Sequence, residues 1–147
     1  MFYRYHYNDI VCAKLNALGT MEWARNINKA EITQGDASYA SYTAYGHGEA
    51  MYFFINSGEN PQKISNERML FKQGFSRNPN MFVIKVDAIG SLSYKKLVDD
   101  KELRLPIMVS RPLIDGVNNK LLFYAKRGTK KQMIKVYLED ENTSPSK

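Results

Sequence analysis

The chain has 147 residues, 44% hydrophobic and 24% charged, which suits one globular domain able to close a core. Its 21 basic and 15 acidic residues leave a formal charge of +6, so an anionic partner is expected: a phosphate-bearing cofactor, a nucleic acid or an acidic protein surface. A single cysteine, Cys12, excludes an internal disulfide and a thiolate metal cluster, and two histidines, His6 and His47, are too few for an ordinary structural zinc site.

In chain order, residues 2–7 (FYRYHY) alternate and predict a strand, with Phe2, Arg4 and His6 on one face and Tyr3, Tyr5 and Tyr7 on the other. Asn8 or Asp9 caps an expected helix whose apolar spacing is Ile10, Val11, Leu15 and Leu18, closed by Gly19. Cys12 falls in that stretch as a buried, inert thiol. Thr20 caps a second helical piece through Met21, Trp23 and Ile27. Residues 33–50, rich in Gly, Ser, Thr and Ala with scattered tyrosines, read as a long loop, and long ordered loops tend to carry function.

Tyr45 to Asn56 (YGHGEAMYFFIN) is the centre of the chain. Gly46 and Gly48 flank His47, where glycine permits a sharp turn or close backbone approach. The apolar run 51–55 that follows has the length of a buried strand, and Tyr52 on it offers a stacking ring with a polar tip. Asn60-Pro61 opens an expected helix closed by Gly74, and residues 81–86 (MFVIKV) read as a strand. Residues 94–100 suit a short helix, and Pro106 makes 103–109 an edge strand or extended segment. Residues 121–126 and 132–138 read as a hairpin around Gly128, and 140–147 as a polar tail behind one domain spanning 1–139. Lys95-Lys96, Lys126-Arg127 and Lys130-Lys131 are modest clusters of the kind a solvated surface carries. Five or six strands with two or three helices, the helices mainly in the N-terminal half, predict an α+β fold.

Three short motifs in order resemble the ADP-ribosyltransferase superfamily, in its diphtheria-toxin-like His-Tyr-Glu branch: YRYHYND, GHGEAMYFF and NNKLLFYAKRGTKKQMIKVYL. The resemblance is greatest to small bacterial toxin-type domains with an HYT-like first motif, and more distantly to the poly(ADP-ribose) polymerase core. It implies split antiparallel or mixed sheets and NAD as substrate. His6 and the Tyr7 backbone then match the groups that hold the ribose and the nicotinamide amide, with Arg4 beside them for phosphate. Tyr52 matches the ring that stacks on nicotinamide, and Gly46 and Gly48 match the close-approach glycines. Glu49 and Ala50 lengthen the usual spacing, so Tyr45 competes with Tyr52. The place of the third-motif Glu reads Asn118-Asn119-Lys120, leaving Asp115, Asn119 or Glu49 as substitutes.

The resemblance therefore implies an NAD-consuming transferase of toxin or effector type, acting on a protein or nucleic-acid acceptor, without metal. The alternatives are an NAD glycohydrolase, and a non-catalytic module that binds NAD, ADP-ribose or nucleic acid with tyrosines that stack bases. No apolar run approaches the ~20 residues that cross a bilayer, and the N-terminus lacks a signal-peptide pattern. A soluble chain is expected, cytoplasmic or delivered into a target cell, of undetermined oligomeric state.

Overall fold

A computed structural model describes residues 4–34, 36–58, 60–65, 68–73 and 80–139. The strands are β1 (Arg4–Tyr7), β2 (Ile10–Leu15), β3 (Met21–Gln34), β4 (Tyr42–His47), β5 (Ala50–Ser57) and β6 (Gln62–Ser65). They continue with β7 (Arg68–Gln73), β8 (Asn80–Val86), β9 (Leu92–Val98), β10 (Leu113–Asp115), β11 (Lys120–Arg127) and β12 (Lys130–Tyr137). Beside them, the described residues hold one 3-10 turn (Ala37–Tyr39) and one helical turn, α1 (Asp100–Leu103). The chain is therefore nearly all β, and the α+β expectation with N-terminal helices is corrected.

The strands form three layers. A central sheet ordered β4-β5-β8-β9 is flanked on one side by a five-stranded sheet, β1-β3-β7-β6 with β2 also on β3. On its other side lies β10-β11-β12. With a side-chain period of two, the central sheet feeds two cores. Phe53, Ile55, Phe82, Ile84 and Val86 meet Ile10, Ile27 and Phe71 on one side. Phe54 and Met81 meet Ile107, Val109, Leu121, Phe123 and Ala125 on the other. Burial on both faces is why β5 and β8 read as continuous apolar runs rather than as alternation.

The strands expected at 51–55, 81–86, 121–126 and 132–138 are present as β5, β8, β11 and β12, and the described part of the first strand is β1. The segment expected to be extended over 103–109 is so only around its middle: Leu103 ends α1, Arg104 has φ +53°, Val109 lies in a turn, and an isolated Ile107–Ala125 bridge joins it to β11. Asn56 Nδ2 donates to Ile107 O at 2.8 Å and Thr43 Oγ1 to Val109 O at 2.6 Å, tying this segment to the central sheet.

The expected helices are strands instead. Val11, Leu15 and Leu18, chosen by helical spacing, are 74%, 58% and 90% exposed, so they never formed one buried face. On β3 the inward positions include Arg25, Lys29 and Glu31, and charge at those places hides the two-residue alternation. The helix expected from Asn60-Pro61 is β6 and β7, and its expected end at Gly74 lies outside the described residues. The short helix at 94–100 is β9, followed by α1. The loop of 33–50 contains the end of β3, the 3-10 turn and β4. The tail at 140–147 and residues 2 and 3 lie outside the described residues.

Candidate functional site

The NAD cleft expected from the sequence needs His6 and Tyr52 to face one another. His6 is exposed on β1 and pairs in register with Ile32, which lies on the face of β3 opposite the inward Lys29 and Glu31. Arg4 shares that outward side, opposite Gln34. Tyr7 points inward, with Lys29 Nζ 5.9 Å from its ring centre. Tyr52 lies half-buried on the far side of the central sheet, packed against the second core. An outer sheet, the first core and the central sheet therefore separate the imidazole from the phenol. His6, Arg4 and Tyr7 do not join the glycine-flanked strand in one cleft.

Part of the expected set does converge. Tyr45 and Tyr52 are direct cross-strand partners on β4 and β5. The Tyr45 hydroxyl donates to Asn119 Oδ1 at 3.2 Å, and the Tyr52 ring lies 6.5 Å from His47 and 5.9 Å from Lys85 Nζ. Asp115 stays in its own turn, accepting from Asn118 N at 3.2 Å and Asn118 Nδ2 at 2.7 Å, and these bonds hold its carboxyl below the usual range. Gly48 has φ +58° at the first central position of the two-residue β4–β5 turn, so it serves the hairpin. A Cβ on Gly46 would sit 3.4 Å from Met51 Sδ, ordinary contact rather than a forced approach.

A different surface carries the charge. Residues 116–138 hold six bases and no acid, and the rest of the chain holds fifteen of each, so this stretch accounts for the whole net charge. The β11–β12 register sorts these residues by face. Leu121, Phe123 and Ala125 point into the second core, so Lys120, Leu122, Tyr124 and Lys126 point outward. Opposite them stand Tyr137, Lys135, Met133 and Lys131 respectively. Met133 and Tyr137 are 54% and 56% exposed, and no described element covers them. Lys120 Nζ lies 5.6 Å from the Tyr137 ring centre, a cation–π contact at the surface.

Lys126 and Lys131 face each other directly across the two strands, an arrangement that costs stability unless an anion lies between them. Neither forms a salt bridge among the described residues. Lysine on an edge strand such as β12 also discourages edge-to-edge pairing. Lys120 and Lys126 come from β11, which lies inside its sheet between β10 and β12, so edge protection does not account for them. Pairwise reading of Lys126-Arg127 and Lys130-Lys131 missed this surface; the acid-free length of the stretch was the signal that marks it.

A second unexpected feature is internal. Lys29 and Glu31 form an ion pair on the inward face of β3, with both side chains 1% exposed. Ser41 N donates to Glu31 Oε2 at 2.8 Å, while Glu31 Oε1 is buried without a partner. Burial pushes the Glu31 carboxyl up and the Lys29 ammonium down, both toward neutrality. Cys12 is half-buried on β2 beside the first core, and burial pushes its thiol up, away from the reactive thiolate. Among the described residues no group of three or more His, Cys, Asp or Glu is placed to hold a metal ion. No described helix is long and apolar enough to cross a membrane. No protein-family model matches the chain, and neither the curated proteins nor the solved structures yield a match.

Proposed function

We propose that the chain binds single-stranded nucleic acid across the outer face of β10–β12. The observation that carries this reading is the placement of four lysines, two tyrosines and two apolar side chains on the outward face of β11 and β12, where Met133 and Tyr137 are exposed and Lys120, Leu122 and Tyr124 half-buried. Lys120, Lys126, Lys131 and Lys135 neutralise phosphates and release their counterions, which drives association without regard to sequence. Tyr124 and Tyr137 offer flat rings for unstacked bases, with Leu122 and Met133 as apolar contacts between them. A duplex keeps its bases stacked inside and leaves the rings without partners, so single strands are preferred.

Fluorescence anisotropy with labelled DNA and RNA oligonucleotides tests this. The double variant K131E/K135E is expected to lose most affinity. The variant K63E/K72E makes the same charge change on the opposite outer layer and is expected to bind nearly as the parent does. Tyr137→Ala is expected to cost about 1–3 kcal/mol, the worth of one base–aromatic stack. Equal losses from the two charge variants would reduce the effect to bulk charge and overturn the assignment of the face.

ADP-ribosyl transfer from NAD is a second reading, and it rests on the Tyr45–Tyr52–Asn119 grouping alone. Nicotinamide release from NAD that is lost in Tyr52→Ala and unchanged in His6→Ala would favour it. An absence of nicotinamide release would remove it.

A further inference from the structure

On the layer opposite the lysine face, β3, the start of β7 and the β8–β9 turn border a cleft of about 550 Å³. Ala24, Arg25 and Asn26 of β3, Arg68 of β7 and residues 90–92 of the β8–β9 turn line it. A narrower space of about 170 Å³ shares Asn26 and Leu92 with it and runs inward between Phe71, Met69, Ile84 and Tyr94. We propose that this cleft binds a mononucleotide, the phosphate held between Arg25 and Arg68 and the base in the apolar trough. The proposal goes beyond the oligonucleotide face and does not depend on it.

The two guanidinium groups are held in different ways. Arg25 Nε donates to Gly90 O at 2.6 Å and its Nη1 to Ala24 O at 2.9 Å, with Trp23 beneath it at 5.8 Å. These contacts fix the plane of the guanidinium and leave three of its five N–H groups without an assigned acceptor. Arg68 Nε donates to Asn28 Oδ1 at 3.0 Å, which leaves both of its terminal nitrogens. Two acids stand nearby, each held by other donors: the Asp9 carboxylate, whose charge Arg68 feels, accepts from Asn26 Nδ2, Asn28 Nδ2 and Lys29 N, and Asp87 in the β8–β9 turn accepts from Ile89 N and Ser91 N. Neither arginine forms a salt bridge among the described residues.

Two planar cations that line one cleft without a salt bridge among the described residues suit a dianion able to accept from two forks at once. The shape of the adjoining space selects what the anion is attached to. Tyr94 is 46% exposed and stands edge-on to Phe71, with ring centres 5.5 Å apart and planes at 88°. Tyr94 and Leu92 on one wall and Met69 and Ile27 on the other give a slot for a flat ring. Asn26 and the backbone of Ser93 complete its lining, the Asn26 amide nitrogen being already given to Asp9 and the Ser93 side chain lying on the Lys85 face of the central sheet.

The test is a titration of the isotopically labelled full chain with AMP, inorganic phosphate and adenosine in separate arms, followed by amide NMR shifts. AMP is expected to move the amides of residues 24–26, 68 and 90–94, and to bind at least tenfold (~1.4 kcal/mol) tighter than phosphate or adenosine. Arg68→Ala is expected to remove at least that factor. The shift map on the parent chain stands even if that variant folds poorly. Shifts confined to β11 and β12, equal affinity for AMP and phosphate, or no shifts at millimolar AMP would each overturn the proposal. An oligonucleotide titrated in parallel reports on β11–β12 amides, so failure of one site is distinguishable from failure of the other.

Discussion

Single residues carry charge into places where composition does not put it. Lys29 and Glu31 are both buried, and each is tolerable only because the other is there. Glu31→Ala leaves a lysine sealed in the outer sheet, and a loss of about 3–5 kcal/mol is expected in urea unfolding. Replacing both with apolar residues of similar volume, as in K29M/E31L, is expected to be near neutral or stabilising, because two desolvation penalties vanish together. Asp9 illustrates the opposite case. The Asn26 amide, the Lys29 backbone N–H and the Asn28 amide hold its carboxyl below the ordinary 3.8.

A depressed carboxylate stabilises the fold above its unfolded pKa, and that contribution is lost as pH falls through the folded one. Asp9→Ala is therefore expected to melt below the parent near neutral pH. The gap between the two should close as both are taken to about pH 2. A gap that stays constant across that range would mean that Asp9 does not act through its charge.

Elements depend on where their turns are anchored. The β8–β9 turn is clasped to β3 by Trp23 Nε1 donating to Ala88 O at 3.0 Å and by the Arg25 bond to Gly90 O. Gly90 has φ +82°, and a Cβ there would lie 2.9 Å from Trp23 Cδ2 and 3.1 Å from Arg25 Cζ. Gly90→Ala meets both backbone strain and a clash with two packed side chains, so a loss exceeding ~1 kcal/mol is expected in thermal or urea unfolding. Gly128 also has positive φ, +59°, but nothing lies within 4 Å of its Cβ position. Gly128→Ala is expected to cost the strain alone and so to be the milder change. Equal losses at the two sites would show that the clasp adds nothing.

The whole molecule separates its chemistry by layers. The central sheet buries both faces, so the surfaces left for ligands are the outer sheets and the seams beside them. The lysine face lies on one side of the central sheet and the arginine cleft on the other. Four phosphate contacts on the lysine face predict a slope of about −3 for log affinity against log salt with a single-stranded oligonucleotide. K131E/K135E should flatten it toward about −1. A slope that both proteins share would place the contacts elsewhere.

How much of this was legible in the sequence follows from burial. The runs at 51–55 and 81–86 were readable as strands because both of their faces are apolar, and the β11–β12 hairpin because Gly128 marks its turn. β2 and β3 were not, since their exposed apolar residues imitate a helical stripe while Arg25, Lys29 and Glu31 occupy inward positions. The His6 and Tyr52 motifs were correctly seen as strand residues, yet residue order carries no information about which side of a layer each one faces.

Composition alone determined that the chain is basic, without an internal disulfide, and able to close a core. Only the tertiary structure decided that four of the six excess bases share the outward face of one sheet and that two arginines line one cleft. The physical reason is that a strand commits to a face only through its register with neighbours, and those neighbours come from distant parts of the chain.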